Sequence, residues 1–282
     1  MTSQEIAPLQ RMAIRLRRDI VEMIGVGKAG HLGGSCSLAE IIAALYFSRL
    51  RFDPHRIDDP DRDRLVLSKG HSVLVQYAAL IELGVIPREE IGRVKTLKGM
   101  LQGHPDMEQT PGLEAVTGSL GQGLSIGMGM ALALRQDRRP SRVWVIMGDG
   151  ELNEGQVWEA AMAAAAYRLD RLSGIVDRNG IQATGPIAEV LPNPDIERKF
   201  EAFGWKAMTV NGHDVDALLR TMDAAGEVSG RPTVIVADTV KGKGIPFAEN
   251  SAAFHNAMMT REQYDEALAG LDRQLSAMDR AG

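Results

Sequence analysis

Val143-Trp-Val-Ile-Met-Gly-Asp-Gly150 runs an apolar stretch into a glycine-flanked aspartate, and Glu151-Leu-Asn-Glu-Gly155 leads on into an alanine-rich segment. The apolar run reads as a buried strand and the segment after it as a helix. Asp149 is thereby placed at the carboxyl edge of a sheet, where ligands bind in open α/β folds. The helix is predicted to start near Glu151 to Glu154, turning its N-terminal amides and dipole toward the same crevice. Such a site suits an anion, a diphosphate above all. A second apolar run, Leu172 to Asp177, ends in Arg178-Asn-Gly-Ile181. If the two strands are neighbours, Asn179 lies beside Asp149. An Asp carboxylate, an Asn amide oxygen and a nearby main-chain carbonyl are hard oxygen donors. With two phosphate oxygens and a water they would complete the octahedron that Mg²⁺ requires; Ca²⁺ and Mn²⁺ accept the same oxygens. Singly, the Gly-Asp-Gly is an ordinary turn and Asn179 a loop cap. Together, with Glu154 between them, they favour the functional reading.

Outward from this block, strands and helices alternate. Strands are predicted at Arg64–Leu67, Val143–Met147, Leu172–Asp177, Trp205–Val210 and Thr233–Asp238. Helices are predicted at Pro8–Ile24, Leu38–Leu50, Val73–Leu83, Gln122–Arg135, Gln156–Arg168, Asp195–Phe203, Asp214–Ala225 and Thr260–Met278. Strands separated by helical crossovers imply an α/β fold: a parallel sheet with helices on both faces. Met100 to Gly121 is rich in Gly, Pro and Thr and reads as a long loop of the kind that carries function. No repeat or linker divides the chain, so residues 1–282 are expected to form a single domain.

Gly25-Val-Gly27-Lys-Ala-Gly30 matches the dinucleotide pattern G-x-G-x-x-G. A helix precedes it instead of a strand, and no acidic residue follows about 20 residues on at a strand end, so nucleotide binding is rejected.

Composition narrows the function classes. A hydrophobic share of 44% and a charged share of 24% suit a packed globular core. A formal net charge of -5 lacks the basic stripe of a nucleic-acid platform. Arg11, Arg15 and Arg18 share one helical face, expected to be solvated or subunit-facing. Cys36 is the only cysteine, so no intrachain disulfide forms and a reducing compartment fits. The start lacks a signal-peptide pattern and no apolar run would span a bilayer, so the expected location is the cytoplasm.

The block Gly148 to Gly155 followed by Asn179 resembles the thiamine diphosphate motif, and its surroundings are similar to the N-terminal domain of transketolases. Four of the six histidines lie in segments that resemble that family. These are Gly30-His-Leu-Gly-Gly34, Leu67-Ser-Lys-Gly-His71, Gln102-Gly-His-Pro105 and the loop after Lys241-Gly-Lys-Gly244, which carries His255. Thr117-Gly-Ser-Leu-Gly-Gln-Gly123 is a further match, with Ser119 where the family has Pro. The resemblance runs from the first helix to about Thr260 and is specific as an ensemble.

What the resemblance implies is a thiamine diphosphate-binding fold in which Asp149, Asn179 and the carbonyl of Ile181 hold the divalent ion. Gly150, His31 and His71 would place the diphosphate, and Gly118 and Leu120 would line the site near the aminopyrimidine. Glu154 would reach a partner across the subunit interface. His31, His71, His104 and His255 would ring the thiazolium carbon and the first carbons of a ketose. Imidazole suits that work because it donates and accepts protons near neutral pH. His55 and His213 read as surface or packing residues.

In the family, the glutamate and aromatic pocket that serve the aminopyrimidine lie on a second domain, and so do most residues for the sugar phosphate tail. Here only a terminal helix follows Thr260. The expected protein is therefore the N-terminal subunit of a split transketolase, working with a separate C-terminal, pyrimidine-binding subunit as a heterotetramer on sugar phosphates. Two other readings are a subunit of a 1-deoxyxylulose-phosphate synthase-like enzyme or 2-oxo-acid dehydrogenase, and a non-catalytic cofactor-binding homologue. The four histidines favour ketose chemistry over 2-oxo acid chemistry, and the intact Asp149, Asn179 and Glu154 argue against decay.

Overall fold

The computed structural model describes residues 3–281, so Met1, Thr2 and Gly282 of the expected domain lie outside the described residues. Five strands form one wholly parallel sheet among them: β1 (Arg64–Leu67), β2 (Val143–Gly148), β3 (Leu172–Arg178), β4 (Lys206–Asn211) and β5 (Thr233–Asp238), in the order β1-β2-β3-β5-β4. The carboxyl ends of β2 and β3 lie at one edge of this sheet, where open parallel folds carry their ligand crevice.

Alternating side chains explain why both faces are covered. Trp144 and Ile146 of β2, Ile175 of β3 and Ile235 of β5 join one buried cluster. Val145, Met147, Val176, Val234 and Val236 join the other. The first packs against α1 (Ser3–Ile24), α3 (Ala39–Ala44), α4 (Leu74–Glu82) and α9 (Val215–Glu227), with α2 (Leu32–Cys36) between α1 and α3. The second packs against α5 (Gln122–Gln136), α6 (Gly155–Ala166) and α8 (Ile196–Ala202), the last preceded by the single turn α7 (Ile187–Val190). A closing helix, α10 (Arg261–Ala281), lies against α1. Near-continuous burial along β1, β2, β3 and β5 is what a sheet sandwiched between helices demands, while β4, at the edge, is only partly buried.

Three elements differ from expectation. α1 begins before Pro8, which lies inside the helix and removes one backbone N–H from its ladder. The glycine-rich stretch after α1 is not all loop: it holds α2, and its glycines permit close approach. A Cβ on Gly33 would sit 2.9 Å from Lys241 Cγ, and one on Gly34 2.7 Å from Ser72 Oγ. The helix expected at Leu38–Leu50 is α3 continued by a wider π-turn, Leu45–Arg49. Two isolated bridges, Val26 to Met259 and Gly30 to Ala257, tie the glycine-rich stretch to the chain just ahead of α10.

The basic face of α1 is occupied within the chain. Arg11 pairs with Asp279, Arg18 with Glu22 and Asp272, and Arg15 with Glu82. No helix among the described residues is long and apolar enough to cross a membrane.

Candidate active site

β2 and β3 are paired so that Gly148 faces Asp177, which brings Asp149 and Asn179 to adjacent strand ends. Both line a cavity of about 170 Å³ together with Gly150, Ile181, Leu120, His71 and His255. Asp149 Oδ2 accepts the Gly180 N–H at 2.6 Å and Oδ1 accepts the Gly150 N–H at 2.9 Å. The Asn179 amide is oriented by its neighbours: Nδ2 donates to Asp177 Oδ2 at 3.0 Å, leaving Oδ1 as acceptor for the Ile181 N–H at 3.2 Å. Burial, and then the charge of Asp177, push the Asp149 carboxyl up to about 6.

The expected helix start is corrected here. A 3₁₀ turn, Gly150–Asn153, follows Asp149, and α6 begins only at Gly155. The cavity wall is made by the turn residues Gly148 to Glu151 instead of by the first turn of α6. The turn is held by Glu151, whose carboxylate accepts the Gly121 N–H at 2.9 Å and the Gly148 N–H at 3.0 Å, and also accepts from the Ser68 hydroxyl. One buried carboxylate thus fastens three loops around the cavity.

Four histidines from four separate segments converge. Ring centroids lie 5.1 Å apart for His31 and His71, 5.9 Å for His31 and His104, 5.4 Å for His31 and His255, and 5.0 Å for His71 and His255. Gly118 (φ 149°) lies under His104: a Cβ there would be 2.9 Å from the ring. Glu154 is exposed and packs its Cβ against Gly121, next to the lining residue Leu120.

The rings are held neutral. Burial, then the neighbouring His255, lowers His31 to about 4. Burial, then Lys69, lowers His71 to about 2, and burial, then Lys241, lowers His255 to about 4. His104 is lowered by burial and by Lys95. Neutral rings can accept a proton at one nitrogen while donating from the other. A folded-state value depressed below 6.5 means that the stability these rings contribute is present above pH 6.5 and is lost as pH falls toward 4. NMR titration of the chain should therefore show His31 and His255 at half-protonation near pH 4. Midpoints near 6.5 would contradict this electrostatic picture.

Sequence reasoning missed five residues that shape the cavity. Lys69, 2% exposed, pairs with the fully buried Asp177 and donates to the Gly34 carbonyl at 3.0 Å. Lys241, also 2% exposed, donates from Nζ to the Ile181 carbonyl at 2.8 Å, with His255 Nδ1 3.0 Å away. Gln182 lines the same cavity, and its buried Nε2 has no hydrogen-bond partner among the described residues. Glu151 is the fifth. The signal for both lysines was present: each stands in a glycine-rich segment at the sheet edge where an anion was expected.

The fit to a metal–diphosphate group can be judged on these atoms. Among the described residues no three His, Cys, Asp or Glu side chains gather to hold a metal. An ion here must draw on Asp149, an amide oxygen, a carbonyl and the diphosphate itself, which suits a hard cation. Two buried ammonium groups supply positive charge, and the Gln182 amide an unmatched N–H, for a polyanion, although the Lys241 ammonium already faces the Ile181 and Gln182 carbonyls and His255. The residues fit.

Comparison with known proteins finds a family and several relatives. Residues 9–272 match the family described as "Transketolase, thiamine diphosphate binding domain". The chain is 43% identical to the 6-deoxy-6-sulfo-D-fructose transketolase subunit SqwG of Clostridium sp. (strain MSTE9), over 97% of this chain and 99% of that one. It is 37% identical to an apulose-4-phosphate transketolase subunit of Phocaeicola vulgatus, over 98% of each. A transketolase from Pichia stipitis, solved with fructose 6-phosphate, superposes with a TM-score of 0.86 at 26% identity. The match takes in 96% of this chain but 45% of that one.

Proposed function

Because the chain belongs to the transketolase thiamine diphosphate-binding family, we propose that it is the diphosphate-holding subunit of a two-chain transketolase. The reaction is reversible transfer of a two-carbon glycolaldehyde unit from a ketose donor to an aldose acceptor. The observation that carries this reading is the convergence of four neutral histidines above a cavity floored by Asp149 and Asn179. Both relatives are named as subunits and are matched over nearly their whole length, which supports a separate pyrimidine-binding partner. Their names also carry an anionic group on the sugar, a sulfonate in one and a phosphate in the other. A ketose with an anionic far end is accordingly the proposed donor class, with pentose phosphates and a sulfonated ketohexose the ones to assay.

Asp149, Asn179 Oδ1 and the Ile181 carbonyl would hold Mg²⁺, or Ca²⁺ or Mn²⁺ in its place. Lys69, Lys241 and the Gln182 amide, with Gly150, His31 and His71, would balance and orient the diphosphate. Leu120 and Gly118 would border the rest of the cofactor. When bound, thiamine diphosphate supplies the electron sink for carbon–carbon cleavage; the protein supplies orientation and electrostatics. His31, His71, His104 and His255 would exchange protons with the sugar hydroxyls, and burial keeps the rings unprotonated at neutral pH. Glu154, which is exposed, would meet the partner subunit. The assembly proposed is a heterotetramer in the cytoplasm, where the buried, unpaired Cys36 needs no oxidising environment.

Two assays test the reading: glycolaldehyde transfer by the purified chain with its C-terminal partner, and by the chain without it. Turnover is expected only from the mixture. Robust transfer by the lone chain would overturn the split site, and a product built from pyruvate would reassign the chemistry.

A further inference from the structure

Where β5 ends, the sheet stops supplying acceptors. Thr239 N–H still donates to the Arg178 carbonyl at 3.1 Å, continuing the ladder. The next amide, that of Val240, leaves the ladder and donates to His213 Nε2 at 2.8 Å. This bond fixes the tautomer: Nε2 must be unprotonated, so the ring proton is on Nδ1, which lies 2.9 Å from Glu40 Oε2. Glu40 is itself clamped by both terminal nitrogens of Arg17, at 2.7 and 2.6 Å, with Arg17 4% and Glu40 7% exposed. His213, read from sequence as a surface or packing residue, has both ring nitrogens committed inside the protein.

The amide that His213 captures belongs to the residue before Lys241. From there the backbone is caught again, Gly242 N–H donating to the Gly33 carbonyl at 2.9 Å. The lysine stem lies against Gly33, and its ammonium reaches Ile181 and His255. Arg17 on α1, Glu40 on α3 and His213 after β4 thus form a chain of bonds that ends one residue from a cavity cation.

We propose that His213 is a positioning residue for Lys241: by accepting the Val240 N–H, it sets where the loop leaves β5 and so where the ammonium stands. The inference rests on the reading of Lys241 as a diphosphate-holding group. A helix cap or a packing histidine would not require an acceptor nitrogen facing a main-chain amide, backed by a buried Glu–Arg pair.

The test measures thiamine diphosphate affinity by calorimetry, with Mg²⁺, on the assembled two-chain complex. His213→Asn keeps a donor for Glu40 but is too short to reach Val240; it should weaken binding about 10-fold, the range of one lost buried hydrogen bond. His213→Gln extends to the Nε2 position and should bind within about twofold of the parent. In a Lys241→Met background the His213→Asn effect should shrink to less than about twofold, since the two residues act as one unit. Equal losses in both backgrounds, or none in the parent, would overturn the proposal while leaving the cofactor site intact. Undiminished binding by Lys241→Met by itself would instead overturn the role of Lys241, and the positioning role with it. Failure of the parent complex to bind the cofactor would overturn the functional reading as a whole.

Discussion

Replacing Asp149 with Ala is expected to lower the affinity of the assembled complex for thiamine diphosphate and Mg²⁺ by about 100-fold or more. Removing residues that only support a metal ligand typically costs ~10–100-fold, and Asp149 would touch the ion itself. The stability of the cofactor-free chain should respond far less. The Asp149 carboxyl is raised to about 6 by burial and by Asp177. A group raised in the folded state stabilises the fold below its ordinary value of 3.8 and loses that contribution as pH rises through 6, so at neutral pH its charge works against folding. The Ala variant removes that charge but leaves the Gly150 and Gly180 amides without an acceptor, and the two effects oppose. Calorimetry alongside thermal melting separates the outcomes: binding unchanged from the parent would remove Asp149 from the metal site.

Lys69→Met should be strongly destabilising to the fold. Asp177 is fully buried, and its carboxylate faces Lys69, Ser37, Thr239 and Asn179. Burial by itself would raise the Asp177 carboxyl, but Lys69 and the hydroxyl donors hold it below the usual carboxylate range. Removing the ammonium strands a charge in the interior, a change that typically costs about 3–5 kcal/mol. The sign with pH follows. In the parent, Asp177 contributes stability above its unfolded-state value, and that contribution is lost as pH falls through its depressed folded value. In Lys69→Met the carboxyl can relieve its burial only by taking up a proton, so the deficit should narrow as pH is lowered toward the ordinary carboxylate range. Urea unfolding at several pH values reads both effects; a deficit under about 1 kcal/mol, or one independent of pH, would show that the pair carries little of the fold.

Much of this architecture was legible in the sequence, and the reasons are local. β1 and β5 match their expected bounds because short apolar runs closed by polar or glycine residues leave little freedom in a buried parallel strand. Asp149 and Asn179 could be paired because each follows such a run directly. The convergence of His31, His71, His104 and His255 was legible only through resemblance, since no local pattern says that four loops meet. Lys69, Asp177 and Glu151 were missed for a related reason. A buried charge looks like any solvated charge until its partner is known, and their partners are up to 140 residues away. α2 was missed because glycine is a poor helix former; tertiary contact with Lys241 and Ser72 overrides that preference. The partners of His213 were not legible because its neighbours, Asn211, Gly212 and Asp214, are those of an exposed turn, while its ring points inward to Glu40.

The two lone bridges that join Val26 to Met259 and Gly30 to Ala257 have a consequence for biosynthesis. The segment presenting His31 has its backbone partners far downstream, beyond the last strand, so a nascent chain still being translated can complete its sheet before it can hold that histidine in place. Residues after β5 are therefore needed to fix the segment that presents His31.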